Sequence, residues 1–226
     1  MLVSPDYGLP IKIGRDRLLD LLRKCNQLSK LSKRFKKTTL SKHQFHIYPN
    51  LIKDPNVNAV NEVWVSDITY ILLPNGKFCY LFLVSDLFSR KIIGYALKKS
   101  LASEGAEEAL RKALNFAKPQ SGFIHHSDHG IQYCCKKYIA ALEKEGARVS
   151  MTGDNHCYDN AVAERINGIL KQEYGLGQEL PSFEAAHLLV TDGIKIYNSE
   201  RLHTSLGYKT PDKTYELSKK NLKASA

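Results

Sequence analysis

In EVWVSDITYILLPNGKFCYLFLVSDLFSRKIIGYALKK, residues 62–99, three β-rich runs follow one another with almost nothing between them. Residues 62–73 are dense in β-branched and aromatic side chains, which favour a pleated, half-buried surface. The PNG at 74–76 is a hairpin signal, because Asn-Gly accepts the positive φ that a tight turn demands. Residues 78–84 are nearly continuous apolar, as a central strand covered on both faces should be. Residues 90–99 supply a third strand. Three strands in series, the first two joined by a tight turn, predict an antiparallel meander.

Downstream the pattern alternates. A helix is expected over 103–118, with Ser103 as N-cap and Pro119 just beyond its end. GFIHHSD (122–128) reads as a short strand and 131–146 as a helix closed by Gly146. ARVSMT (147–152) reads as a fifth strand, followed by helices over about 160–174 and 182–198. A meander first and alternation after is the order of the ribonuclease H-like α/β fold, a mixed five-stranded sheet flanked by helices. Upstream, Leu18, Leu21, Leu22 and Cys25 recur at helical spacing in GRDRLLDLLRKCNQL (14–28). The expected organisation is a small helical, basic region (1–28), a basic linker (29–60), a catalytic core (61–208) and a basic C-terminal tail (209–226).

The net charge is +10, and its placement matters more than its size. Residues 1–60 carry 12 Lys/Arg against 4 Asp/Glu, whereas the other 166 residues carry 21 against 19. The excess is concentrated in KLSKRFKKTTLSKH (30–43), where Lys33, Arg34, Lys36 and Lys37 can neutralise phosphates, so nucleic acid is the first partner to consider. No apolar run approaches the roughly 20 residues of a membrane span, and no signal-peptide pattern follows Met1. The five cysteines are odd in number and include no CxxC, which argues against a disulfide framework and for a reducing, cytoplasmic setting.

Three acidic residues stand where this topology would gather them. Asp67 lies mid-strand, on the face of Val65 and Thr69, where an acid is costly to bury without a positive neighbour. Asp128 ends the fourth strand just before Gly130, and Glu164 lies one turn into a helix beginning near Asn160. On that helix Asn160, Glu164 and Lys171 share one side while Val162, Ile166 and Ile169 form an apolar stripe. Converging carboxylates make an oxygen-only ligand set suited to Mg²⁺ or Mn²⁺, and two such ions about 4 Å apart can serve both the attacking and the leaving oxygen. Taken singly, Asp67 could be a satisfied core carboxylate, Asp128 a turn residue and Glu164 a solvated acid; the fold pattern and the basic arm favour the joint reading. Asp86 is read as a turn cap, Asp159 and Asn160 as helix-capping residues, and Asp154 as a loop acid. A histidine-ligated zinc fails on spacing: His43 and His46 lack a CxxC partner, and His125 and His126 must point to opposite faces of one strand.

WVSDITY (64–70), HSDHGIQY (126–133), DNAVAERINGILKQE (159–173) and RLHTSLGYKTP (201–211) together resemble the IS3-family insertion-sequence transposases, specifically their downstream-frame catalytic protein with its DDE integrase core. The 35 residues between Asp128 and Glu164 match the D,D(35)E signature, and Lys171 matches the basic residue of the catalytic helix. The resemblance spans residues 11 to about 215. It implies two divalent ions held by Asp67, Asp128 and Glu164, phosphodiester hydrolysis at the element's end, and strand transfer by the freed 3′-hydroxyl with no covalent enzyme–DNA intermediate. It implies double-stranded DNA as partner, a homo-oligomer on that DNA, possible association with an upstream overlapping-frame product, and a nucleoid-associated cytoplasmic location. Lys171 and Asn160 would face DNA; Arg201 and His203 offer phosphate donors, with Leu206 and Tyr208 docking the tail, and the same motif reads equally as a packed C-terminal turn with solvated charge. One departure is His129-Gly130-Ile131-Gln132-Tyr133, where the family usually reads Gln-Gly-Ser-Gln-Tyr. Another is the short helix-turn-helix region ahead of the core, for which a shortened start is the expectation. The competing readings are a DNA-binding remnant that no longer transposes and a ribonuclease H-type nuclease without strand transfer.

Overall fold

The computed structural model describes residues 13–27, 45–53, 56–153 and 160–224. They fall in two units, residues 1–33 and 34–226. In the first, helix α1 (Arg15–Lys24) begins after Gly14 and carries Asp16 in its first turn and Arg23 and Lys24 in its last. That charge order matches the helix dipole. No residue of α1 is buried.

The second unit is built on five strands: β1 (Val63–Leu72), β2 (Phe78–Asp86), β3 (Ile92–Lys98), β4 (Ile124–Ser127) and β5 (Arg148–Met151). Their order is β3-β2-β1-β4-β5. β1, β2 and β3 pair antiparallel, and β4 and β5 add parallel to β1. This is the meander-then-alternation expected from the sequence. The β1–β2 turn is a 3₁₀ turn, Pro74–Gly76, with Asn75 at φ 61 and Gly76 at φ 69, the left-handed pair for which Asn-Gly is suited.

Alternation along β1 and β2 sends side chains to two cores. Trp64, Phe82 and Val84 face α2 (Ser103–Ala117), α3 (Ile131–Cys134) and α4 (Lys136–Lys144). Ile71, Leu81 and Leu83 face α5 (Ala161–Glu173) and α6 (Phe183–Ser199). The near-continuous apolar run of β2 is thus explained by cover on both faces. Gly94 lies so close to the α2 backbone, and Gly105 to the Phe82 ring, that a Cβ at either would collide with its neighbour.

Three local expectations need correction. Ser103 is inside α2 rather than capping it; Ala102 is the N-cap, and the Ser103 hydroxyl turns to Glu107. Residues 131–146 form two helices, because Cys135 is extended at φ −68, ψ 143 between α3 and α4. Residues 209–226 are no mere tail: Pro211–Ala224 form helix α7, whose Tyr215 is fully buried and whose Ser218 hydroxyl accepts from the Val60 amide. Lys91 locks α7 in place, pairing with Asp212 at 2.8 Å beneath the Phe116 and Tyr215 rings. Tyr208, expected to dock this segment, is 52% exposed. By contrast Gly146 does end the helical run with φ 70, and Ser182 caps α6 by accepting from the Ala185 amide.

Candidate active site

The site grows from where β4 stops. β1 and β4 run parallel from Val63↔Ile124 to Ser66↔Ser127. Asp67 and Asp128 are therefore the next residues on two adjacent parallel strands. β1 continues, pairing Asp67 with Leu83 of β2, whereas β4 ends and leaves a crevice beside it. Open α/β sheets bind ligands at such carboxyl ends. Asp67 shares its face with Val65, Thr69 and Ile71, the face covered by α5 and α6.

Both oxygens of Asp67 are held. The Ile68 amide donates to Oδ1 at 2.9 Å, and the Asn167 side-chain Nδ2 donates to Oδ2 at 2.7 Å. Burial, and then the negative charge of Asp128, push its carboxyl up to about 7, with Glu164 adding to the rise and the two hydrogen bonds opposing it. Asp128 is itself oriented by the Gly130 amide, which donates to its Oδ1 at 3.1 Å. Glu164 lies in the first turn of α5 and is exposed. The three acids thus sense one another, although among the described residues no three His, Cys, Asp or Glu side chains close into a metal-sized cluster. Glu164 stands on the exposed side of the first turn of α5.

Helix α5 is seated by amides rather than by apolar contacts alone. Asn160 is buried, and its Nδ2 donates to the Ser66 carbonyl at 3.0 Å, tying the start of α5 to β1 beside Asp67. This corrects two expectations: Asn160 makes no side-chain cap bond, and its amide faces the sheet rather than DNA. Asn167 was not singled out from the sequence, yet it lies at i+7 from Asn160 and i+3 from Glu164, on the same helical side. Lys171, four residues further on, is half-buried; burial lowers its ammonium below the ordinary lysine value while the nearby Asp67 opposes that shift.

The histidines of 125–129 engage hydroxyls. His125 Nε2 lies 2.8 Å from Ser66 Oγ and 2.9 Å from Tyr138 Oη, and burial drives its pKa down to about 3. His126 Nδ1 lies 2.8 Å from Ser150 Oγ across β4 and β5, and His129 Nδ1 is 3.4 Å from Thr152 Oγ1. Asp86 is a turn cap, as expected: it accepts from the Ser89 amide and hydroxyl and from the Asn61 amide.

The C-terminal motif is put to other use than expected. The Arg201 guanidinium forks onto Glu173 with two 2.7 Å bonds, joining the end of α6 to the end of α5. His203 is buried, and burial followed by the nearby Arg201 charge lowers its pKa to about 4. Lys33, Arg34, Lys36 and Lys37, and the loop acids Asp154 and Asp159, lie outside the described residues.

A five-stranded mixed sheet with carboxylates at the β1/β4 crevice and on the crossing helix defines the class: a ribonuclease H-like integrase core. Residues 57–157 match a family model described as "Integrase core domain", and residues 145–211 match a second of the same description. The chain is 36% identical over 203 residues to the "Insertion element IS600 uncharacterized 31 kDa protein" of Shigella sonnei, covering 89% of this chain and 74% of that one. It is 33% identical over 193 residues to "Transposase InsF for insertion sequence IS3A" of Escherichia coli, covering 84% of this chain and 67% of that one. The chain belongs to the IS3 family of insertion-sequence transposases, DNA-recombining polynucleotidyl transferases. Among solved structures it superposes on a chain of the simian T-cell lymphotropic virus intasome with TM-score 0.59 at 22% identity, over 78% of this chain and 60% of that one. The HTLV-2 integrase catalytic core in complex with magnesium gives TM-score 0.53 at 18% identity, over 70% of this chain and 97% of that one. These structural likenesses carry the fold.

Proposed function

We propose that the chain catalyses metal-dependent cleavage and strand transfer at the ends of its insertion sequence, with Asp67, Asp128 and Glu164 as the metal-holding carboxylates. The observation that carries this is the Asp67 carboxyl, pushed up to about 7 by burial and by Asp128 and Glu164. The negative charge of Asp128 and Glu164 acts on Asp67 strongly enough that its carboxyl stays raised although the Lys171 ammonium is near, which makes the site a place for further positive charge. Their donors are all carboxylate oxygens, the set that hard divalent cations prefer. Two Mg²⁺ or Mn²⁺ ions held there would supply Lewis-acid stabilisation of the charge that develops on the phosphate and its flanking oxygens.

The chain's own residues set the geometry. Ile68 and Asn167 fix the two oxygens of Asp67, Gly130 fixes Asp128, and Asn160 and Asn167 tie α5, the helix that carries Glu164, to β1. Hydrolysis breaks a P–O3′ bond with water as nucleophile and leaves a 3′-hydroxyl. Strand transfer then breaks one phosphodiester and makes another with that hydroxyl as nucleophile, so the number of phosphoester bonds is conserved and no energy-carrying cofactor is consumed. Lys171, half-buried beside Asp67, is placed to meet a phosphate that enters the crevice.

Double-stranded DNA is the partner this reading requires, for both element end and target, with a homo-oligomer bridging two ends and an upstream-frame product as a further associate. The same reading takes the helical, basic region ahead of the catalytic core as a DNA-binding part. No helix among the described residues is long and apolar enough to cross a membrane. The test is incubation with Mg²⁺ or Mn²⁺ and a duplex bearing the element's terminal sequence, with joined product read on a denaturing gel. The reading expects joined product from wild type and none from Asp128→Asn. Hydrolysis of an RNA–DNA hybrid with no joining would point instead to a nuclease, and duplex binding with no chemistry to a remnant.

A further inference from the structure

We infer that His125 and His126 are positioning residues that lock the register of β4, and so set Asp128 against Asp67 across the crevice. The role rests on the function proposed above, in which those two acids hold metal together.

β4 has an unusual composition for its place in the sheet. It pairs parallel to β1 on one side and to β5 on the other. Strands so enclosed are ordinarily runs of Val, Ile and Leu, and register is strongly specified where an apolar set must reach the core. β4 is only Ile-His-His-Ser, with Ile124 half-buried and the three polar residues buried. Apolar packing therefore says little about where this strand stops along its neighbours. A slip of one residue would turn every side chain to the opposite face and displace Asp128 by about 3.3 Å along the strand.

Polar contacts on both faces supply what the apolar pattern lacks. On one face His125 Nε2 meets Ser66 Oγ of β1 at 2.8 Å and Tyr138 Oη of α4 at 2.9 Å, and Ser66 directly precedes Asp67. On the other face His126 Nδ1 meets Ser150 Oγ of β5 at 2.8 Å, and that hydroxyl also accepts from the Leu51 amide at 2.9 Å. His126 is two residues before Asp128, on the same face of the strand. All five side chains are buried. Hydrogen bonds demand close distance and alignment, whereas apolar contacts tolerate sliding. After a slip both histidines would exchange faces and lose these hydroxyls, stranding polar groups in the core. Only one register satisfies both rings, and it is the one that brings Asp67 and Asp128 side by side.

The two rings use different nitrogens, which gives the lock a signature. A glutamine amide can take the place of a histidine Nε2, and an asparagine amide that of Nδ1. Four variants of the full chain are compared with wild type: His125→Gln, His125→Asn, His126→Asn and His126→Gln. The register of β4 is read on metal-free protein by NMR, from cross-strand proton contacts with β1 and β5, and Mn²⁺ and duplex affinities on the same preparations. His125→Gln and His126→Asn should keep the register and stay within about threefold of wild type in Mn²⁺ affinity. His125→Asn and His126→Gln should lose the Ser66–Ser127 contact and at least about tenfold in Mn²⁺ affinity, with duplex affinity within a few-fold of wild type. Equal loss or equal retention within each pair overturns the inference, whether or not the variants fold. Position is separated from stability by Ser66→Ala, His125→Leu and Tyr138→Phe combined, which replaces one polar set by apolar groups. That protein should melt near wild type yet bind Mn²⁺ at least about tenfold more weakly; a wild-type melt with wild-type Mn²⁺ affinity also overturns the inference. A wild type that joins no DNA, or takes up no Mn²⁺, faults the proposed activity, while the register comparison still decides the lock.

Discussion

Replacing Asp67 by asparagine should stabilise the metal-free protein while destroying its chemistry. The carboxyl is raised from 3.8 to about 7, chiefly by burial and by Asp128. A rise of roughly three units is worth at most about 4 kcal/mol at 1.36 kcal/mol per unit. Asp67 is partly open to solvent, so about half of that, roughly 2 kcal/mol, is the reasonable expectation. The sign follows from the direction: with a folded pKa above the unfolded one, stability from the neutral carboxyl is complete below about pH 4. It is lost as pH rises through about 7. The substitution also fits locally. Asn167 Oδ1 is buried without a hydrogen-bond partner, and a flip of that amide would let it accept from the new carboxamide nitrogen. At pH 8 and without metal, Asp67→Asn should melt about 4–8 °C above wild type, the gap closing toward pH 4. Saturating Mg²⁺ should raise the wild-type melt and leave the variant unmoved. A variant that melts below wild type at pH 8, or a gap independent of pH, would refute the electrostatic account.

Other outcomes follow from the same contacts. Asn167→Ala removes the donor on Asp67 Oδ2 and should lower Mn²⁺ affinity and strand transfer by about 10–100-fold, measured by calorimetry and product formation, while Asn167→Gln should recover only part. Tyr215→Ala empties a fully buried site and frees α7, costing about 3–5 kcal/mol in a denaturant titration. His203, with its pKa lowered to about 4, contributes stability that is complete above about pH 6.5 and lost as pH falls toward 4. His203→Gln should therefore flatten the acid side of the stability–pH curve between those values, read from melts at several pH values.

The sheet was legible because its signals are local and strong: β-branched runs, an Asn-Gly turn, and a β2 run apolar on both faces. The acids were legible as residues for a related reason, since Asp67 interrupts an otherwise apolar strand and Asp128 precedes a glycine. What the sequence hid was the partner of each polar group. Asn160 reads as a cap because it begins a helix, but the strand carbonyl of Ser66 lies nearer than the helix amides. Asn167 occupies the same helical side as Glu164 and could have been found by extending the i, i+4, i+11 stripe to i+7. Tyr215 was missed because the segment around it is rich in lysine, and one buried aromatic with an ion-paired Lys91 beneath it is enough to dock a basic helix. Arg201 and His203 look like phosphate donors until Glu173 and burial are seen to claim them.

The central claim is that Asp67, Asp128 and Glu164 act as one metal-holding unit for DNA chemistry. Its most direct test is joined product formed by Asp67→Asn, Asp128→Asn and Glu164→Gln, with Mn²⁺ uptake and duplex affinity measured on the same preparations. The account predicts that each substitution removes joined product by a factor of about 10³ or more and weakens Mn²⁺ uptake, while duplex affinity stays within a few-fold of wild type. Wild-type joining by any one of the three would contradict it.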